Sequence, residues 1–426
     1  MTKYPTYKDS GIEWLGQIPT HWELLKAKYM FQKNKREVQD GDKVITCFRD
    51  GQVTLRENRR TTGFTESITE IGYQGIRKGD LVIHQMDAFA GAIGVSDADG
   101  KGTSVYHCCT PKGEYLTYYY AHVIREMALK GYIQSLYRGI RERSSDFNYV
   151  TFGNCLLPVP TPSEQRQIVA YLDYKSNKIN ERICQREREL QTLSELKQAD
   201  IAAVVTRGLD PNVPMKESGI EWLGKIPAHW EVRKIKNCLQ ERSEKGYPNE
   251  PILCATQSRG VIPQDMYDNR VVVVNKDFDK LKLVKCGDFV ISLRSFQGGI
   301  EYAYYQGIIS AAYTILTPKD KRNSEYFKHL FKSHDFIQLL QTCVTGIREG
   351  QNINYAMLAK HFIPIPPIEE QQKIVLYIKN RLYVIDEYIS KLKAEINYLQ
   401  EYKQRLISDV VTGKVDVRGV EIPSEK

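Results

Sequence analysis

The chain has 426 residues, more than one hydrophobic core usually serves, so two or more domains are expected. With 42% hydrophobic and 26% charged residues it has the composition of a folded protein, which sets aside a disordered chain. A net charge of +8 is compatible with a polyanionic partner and too small to establish one.

The N-terminus, MTKYPTYKDSG, has no apolar signal core. Apolar stretches such as residues 271–274 and 308–316 are too short to cross a bilayer. Nine cysteines, an odd number with no C-x-x-C pair, offer neither a zinc site nor a disulfide framework. A soluble protein of the reducing cytoplasm is expected.

Residues 10–23 read SGIEWLGQIPTHWE, two tryptophans around a Gly/Pro turn. Short apolar runs at 44–48 and 81–83 predict strands, and residues 115–137 an amphipathic helix. A long helix then opens at Thr161-Pro162-Ser163-Glu164, where Thr161 caps, Pro162 suits the first turn and Glu164 completes a capping box. Gly208 is its stop. After a short linker, residues 218–231 read SGIEWLGKIPAHWE, strands are predicted at 252–255, 271–274 and 289–293, and a helix at 325–344. A second long helix starts near Pro367, with Glu369 and Glu370 favoured at its positive end. Its seam, Ile378, Leu382, Ile385, Ile389, Leu392 and Ile396, keeps coiled-coil spacing. The same register in the first helix gives Leu172, Ile179, Ile183 and Leu190, interrupted by the polar Ser176, Arg186 and Asp200.

The chain is one unit of about 207 residues written twice. Twelve of fourteen positions agree between the two tryptophan segments, which hold all four tryptophans at an offset of 208. Gly79-Asp80-Leu81-Val82 pairs with Gly287-Asp288-Phe289-Val290, Gly139-Ile140-Arg141-Glu142 with Gly346-Ile347-Arg348-Glu349, and Pro158-Val159-Pro160 with Pro364-Ile365-Pro366. The expected fold is α+β: mixed α/β domains at 1–160 and 208–366, long helices at 161–207 and 367–413, and a tail at 414–426. Pairing the helices antiparallel makes a bar of roughly 65 Å with one globular part at each end, related by a pseudo-two-fold.

The frames repeat while their contents differ, as between residues 49–75 and 257–279. Two similar mounts with different surfaces suit a split site on DNA, itself two-fold symmetric in its backbone. Candidate DNA-binding residues in the first copy are Arg49, Arg56, Asn58, Arg59, Arg60, Arg138, Arg141, Arg143 and Asn148. Those in the second are Gln257, Arg259, Arg294, Ser295, Gln297, Arg348, Gln351, Asn352 and Asn354. Arginine forks match guanine, Asn and Gln match adenine, and cations hold phosphates. The tryptophan segments read as latches closing each globular part onto the helices, with a docking patch for a partner subunit as the alternative. His21 and His229 stand alone, so no metal site and no catalytic residue is expected.

This order of parts, with the two SGIEWLG-x-IP-x-HWE segments, Gly-Asp-Leu-Val and Gly-Asp-Phe-Val, and Pro-x-Pro followed by Glu-Gln-x-x-Ile-Val, resembles the specificity subunits of Type I restriction-modification systems. The resemblance covers essentially the whole chain. It implies two target recognition domains, each reading one half of a bipartite double-stranded DNA site, spaced by an antiparallel coiled coil. It also implies two modification subunits that use S-adenosylmethionine to methylate adenine, and ATP-driven restriction subunits, with no cofactor on this chain. Nothing like an adenine methyltransferase Asn/Asp-Pro-Pro-Tyr/Phe motif or a P-loop is present, which weighs against an enzyme acting alone. A duplicated scaffold that binds only proteins is the other alternative, and salt-sensitive DNA binding would separate the two.

Overall fold

The computed structural model describes residues 2–59, 72–136, 147–267, 277–293, 295–345 and 352–423. The predicted strand at 271–274 lies outside them. The chain divides into two compact units, Met1–Gln185 with Glu395–Lys426, and Arg186–Ala394. Each unit therefore holds one globular part and a portion of both long helices.

The two units are built alike. In the first, an antiparallel sheet runs in the order Phe31–Asn34, Tyr106–Pro111, Leu81–His84, Ile93–Val95. In the second, the order is Leu239–Arg242, Thr314–Pro318, Phe289–Ile291, Glu301–Tyr302. The Gly-Asp motif turns the chain into a central strand of each sheet. Gly79 and Gly287 both take φ 89°, which favours glycine. Asp80 and Asp288, both buried, accept from the backbone N–H of Arg77 and Lys285 at 2.9 and 2.8 Å, and pair with Arg36 and Arg242. A carboxylate that closes a turn and neutralises a neighbouring arginine explains why this motif recurs.

Helices pack on one face of each sheet. Where one helix was predicted at 115–137, the first unit has Thr117–Leu129 and Tyr132–Ser135, parted at Gly131 with φ 76°. The second unit splits 325–344 into Ser324–Leu330 and His334–Thr342. Ser333 lies between them with extended backbone (φ −69°, ψ 148°), so the helical run ends there. The apolar period carries across both breaks, which is why pattern alone joined them.

The long helices run Pro162–Arg207 and Ile368–Val411. Thr161 Oγ1 accepts from Glu164 N at 3.3 Å and Glu164 Oε2 from Thr161 N at 3.4 Å, the reciprocal capping box. Gly208 ends the first helix at φ 79°. Within each unit the two helices lie antiparallel. In the first, Arg182 meets Glu395 and Lys403 meets Asn180; in the second, Lys197 meets Asp386, Arg381 meets Asp200 and Tyr388 meets Glu189. Leu172, Ile179, Ile378, Ile385, Leu392 and Ile396 are buried, and Ile183, Leu190, Leu382 and Ile389 half-buried. Among the described residues, no helix is long and apolar enough to cross a membrane.

The tryptophan segments close each unit onto a helix start. Trp22 is fully buried and its Nε1 donates to Glu164 at 3.2 Å, while His21 Nε2 lies 3.1 Å from the same carboxylate. His229 meets Glu370 at 2.7 Å. The next residue serves too: Gln165 Nε2 donates to Pro160 O at 3.0 Å and Gln371 Nε2 to Pro366 O at 2.9 Å. Burying an indole removes roughly 150–250 Å² of surface, about 4–6 kcal/mol at about 25 cal/mol per Å².

Candidate nucleic-acid interface

Beside each main sheet stands a β-hairpin, and the two hairpins share one register. Ile45–Cys47 pairs with Val53–Leu55, so that Cys47 faces Val53. Leu253–Thr256 pairs with Gly260–Pro263, so that Ala255 faces Val261, both partners shifted by 208. A single turn of 3₁₀ helix follows each, at Arg56–Asn58 and Gln264–Met266. Small apolar cores hold the hairpins: Ile45, Val53, Ile76 and Val82 in the first unit, Leu253, Val261, Val284 and Val290 in the second. The mounts are the same and the tips are not. Phe48-Arg49-Asp50-Gly51-Gln52 crowns one, and Thr256-Gln257-Ser258-Arg259-Gly260 the other.

Several predicted residues gather at these tips. Arg49 and Gln257 occupy the same place, and both are exposed. The Arg49 guanidinium meets Asp87 at 2.9 Å, a pair open to solvent and weakly held. Arg59 lies 2.7 Å from Asp50 and stacks over the Phe48 ring at 4.3 Å, which draws it to the first tip. Arg56 and Asn58 face the hairpin strands, with Arg56 Nε donating to Thr46 Oγ1 at 3.5 Å and Asn58 Nδ2 to Thr54 Oγ1 at 2.8 Å. Arg259 is exposed and donates to Met266 O at 3.0 Å. Gln297 and Asn352 are exposed as well. Arg60, Arg138, Arg141, Arg143, Arg294, Arg348 and Gln351 lie outside the described residues.

Three predicted readers have other work. Ser295 is fully buried, and its Oγ accepts from Ser292 N at 2.9 Å, so it cannot meet DNA. Asn148 caps the short helix Tyr149–Asn154 by accepting from Thr151 N at 3.0 Å. Asn354 does the same for Tyr355–Leu358, accepting from Met357 N at 3.2 Å. Their oxygens satisfy backbone donors that a helix start leaves open.

The structure also brings in two cations that sequence reading passed over. Arg125 Nη1 donates to the carbonyl of Arg49, at the first tip, at 3.1 Å, and to that of Gly91. Lys332 Nζ donates to the carbonyl of Gln257, at the second tip, at 3.3 Å, to Gly298 O at 2.8 Å, and to Glu301 Oε1 at 2.7 Å. Burial holds the Arg125 guanidinium below its ordinary value, and it pushes the Glu301 carboxyl up to about 7 although Lys332 opposes that. The signal in the sequence was faint: Phe89-Ala-Gly91-Ala-Ile93 against Phe296-Gln-Gly298-Gly-Ile300, at the offset of 207 that also relates the two cations. Among the described residues, no cluster of His, Cys, Asp and Glu could hold a metal ion.

Residues 227–398 match the family model described as the Type I restriction modification DNA specificity domain. A Methanocaldococcus jannaschii protein provisionally named type I restriction enzyme MjaX specificity subunit is 23% identical over 95% of this chain and 96% of its own length. The MjaVIII type I restriction enzyme specificity subunit of the same organism is 23% identical over 63% of this chain and 64% of its own. Among solved structures, a chain from work on complex assembly and conformational transition of the type I R-M system matches with a TM-score of 0.67. That match is at 16% identity, covers 93% of this chain and 99% of the other, and is a likeness of fold.

Proposed function

We propose that this chain, which belongs to the family of type I restriction-modification specificity subunits, reads a split DNA site, one half through each unit, for partner subunits that methylate adenine or cut. The observation that carries this reading is the pair of hairpins with one register and different tips. A two-stranded ribbon fits the major groove, where each base pair shows a distinct set of donors, acceptors and methyls. Arg49 at one tip and Gln257 at the other offer different hydrogen-bonding edges from equivalent places, with Arg59 drawn to the first tip and Arg259 within the second. Two unlike halves of a target are what such a frame would read. Lysines and arginines around the tips would hold phosphates and make affinity fall with salt.

On this reading the chain carries no catalytic residue. S-adenosylmethionine would be bound by two modification subunits, and ATP and Mg by restriction subunits, in the cytoplasm where DNA is met. The test is methylation mapping of the genome that encodes the chain, with the gene intact and deleted. The expected result is one motif of two short halves and an unread gap, lost on deletion. A methylation pattern that deletion leaves unchanged would sink the reading.

A further inference from the structure

Arg125 and Lys332 do equivalent work in the two units, although one is an arginine on the helix Thr117–Leu129 and the other a lysine between two short helices. Each ties a tip carbonyl to a carbonyl of a neighbouring segment, Arg49 to Gly91 in a turn and Gln257 to Gly298 in the short helix Ser295–Gly298. The glycines fit this close approach. A Cβ on Gly51, which has φ 92°, would lie 2.3 Å from Arg125 Nη1, and one on Gly91 would lie 3.0 Å from the Arg49 carbonyl. One on Gly298 would meet the Gln257 side chain at 3.0 Å. Arginine reaches both carbonyls through one nitrogen, whereas the Lys332 ammonium is also held by Glu301, which is 1% exposed. Gly94 stands where Glu301 does, at the offset of 207.

We infer that Arg125 and Lys332 are positioning residues for DNA recognition: each clamps the tip of its hairpin by the main chain and so fixes how the reading side chains are presented. This rests on the reading above. Neither cation need touch DNA. A hairpin tip held only at its base would spread its side chains over many poses, and discrimination between bases depends on a fixed one.

The test uses the full chain assembled with its modification subunits and duplexes carrying the mapped site, with either half scrambled. Arg125→Ala is expected to lower discrimination at the first unit's half-site about tenfold, the loss of charge-assisted bonds to a carbonyl. It should leave the other half-site and the salt slope unchanged. Lys332→Ala should do the converse. Arg125→Lys should recover most of the loss, since lysine serves in the other unit. Amide hydrogen exchange without DNA should rise at residues 49–52 in the first variant and at 257–259 in the second. Glu301→Gln, which keeps the cation and loosens its seat, should raise exchange at 257–259 even if an alanine variant fails to fold. Unchanged discrimination, a salt slope reduced by about one as for a phosphate contact, no rescue by lysine, or unchanged exchange at the tips would each overturn the clamp. If the unaltered complex prefers neither half-site, the reading of function fails instead, and the exchange data still decide the clamp.

Discussion

Glu301 and His329, both in the second unit, pull stability in opposite directions as pH changes. Burial lifts the Glu301 carboxyl from 4.5 to about 7, so the folded chain keeps a proton that the unfolded chain releases. Stability then falls as pH rises from about 4.5 to about 7. Burial lowers the His329 imidazole from 6.5 to about 4, with Lys328 adding to the effect, so the unfolded chain takes up a proton that the folded chain refuses. That stability is lost as pH falls from 6.5 to about 4. Glu301→Gln should therefore leave the acid loss standing and remove the loss toward neutrality. Urea midpoints of the full chain at several pH values between 4.5 and 7 check this; parallel profiles for the variant and the unaltered chain would refute it. The latches give a second contrast. Glu164→Ala leaves the buried Trp22 N–H without its acceptor and should cost about 1–3 kcal/mol. Glu370→Ala removes a contact to the half-exposed His229 and one carboxylate at the helix's positive end, and should cost about 1 kcal/mol, less than Glu164→Ala. Equal shifts in the two unfolding midpoints would contradict this account.

At the scale of elements, the seam of the long helices was legible because its period outruns any single substitution. One polar interruption in the first helix has a physical place. Asp200 is half-buried and pairs with Arg381 on the second helix at 2.9 Å. It reads as a defect in a heptad and serves as a cross-helix pair. Leu392 is 3% exposed and Ile389 half-buried, so Leu392→Ala should cost about 2–5 kcal/mol and Ile389→Ala clearly less. Chemical denaturation of both variants checks the order, and a larger loss at Ile389 would mean a different register. The candidate interface was legible in part. Divergence between copies pointed to the segments that carry the tips, since frames repeat where packing dictates them. It could not separate Asn148 and Asn354, which cap helices, from an asparagine facing DNA, because the same amide serves either purpose. Arg125 and Lys332 escaped because they act through carbonyls, which a sequence does not display.

For the whole molecule, the chain passes from one unit to the other only inside the two long helices, between residues 185 and 186 and between 394 and 395. Each unit carries its own cores and its own hairpin, so a change confined to those crossings should leave both units intact. Adding one heptad to each helix there preserves the seam, because seven residues return the apolar face to the same side. The helices lengthen by about 10 Å, close to three base pairs at about 3.4 Å each. Under the proposed function the methylated motif should keep both halves and gain a gap about three base pairs longer, read by methylation mapping of cells carrying the lengthened chain. Adding the heptad to one helix alone would put the two seams out of step, and methylation should be lost. An unchanged gap in the doubly lengthened chain would show that these helices do not set the spacing, whatever the tips read.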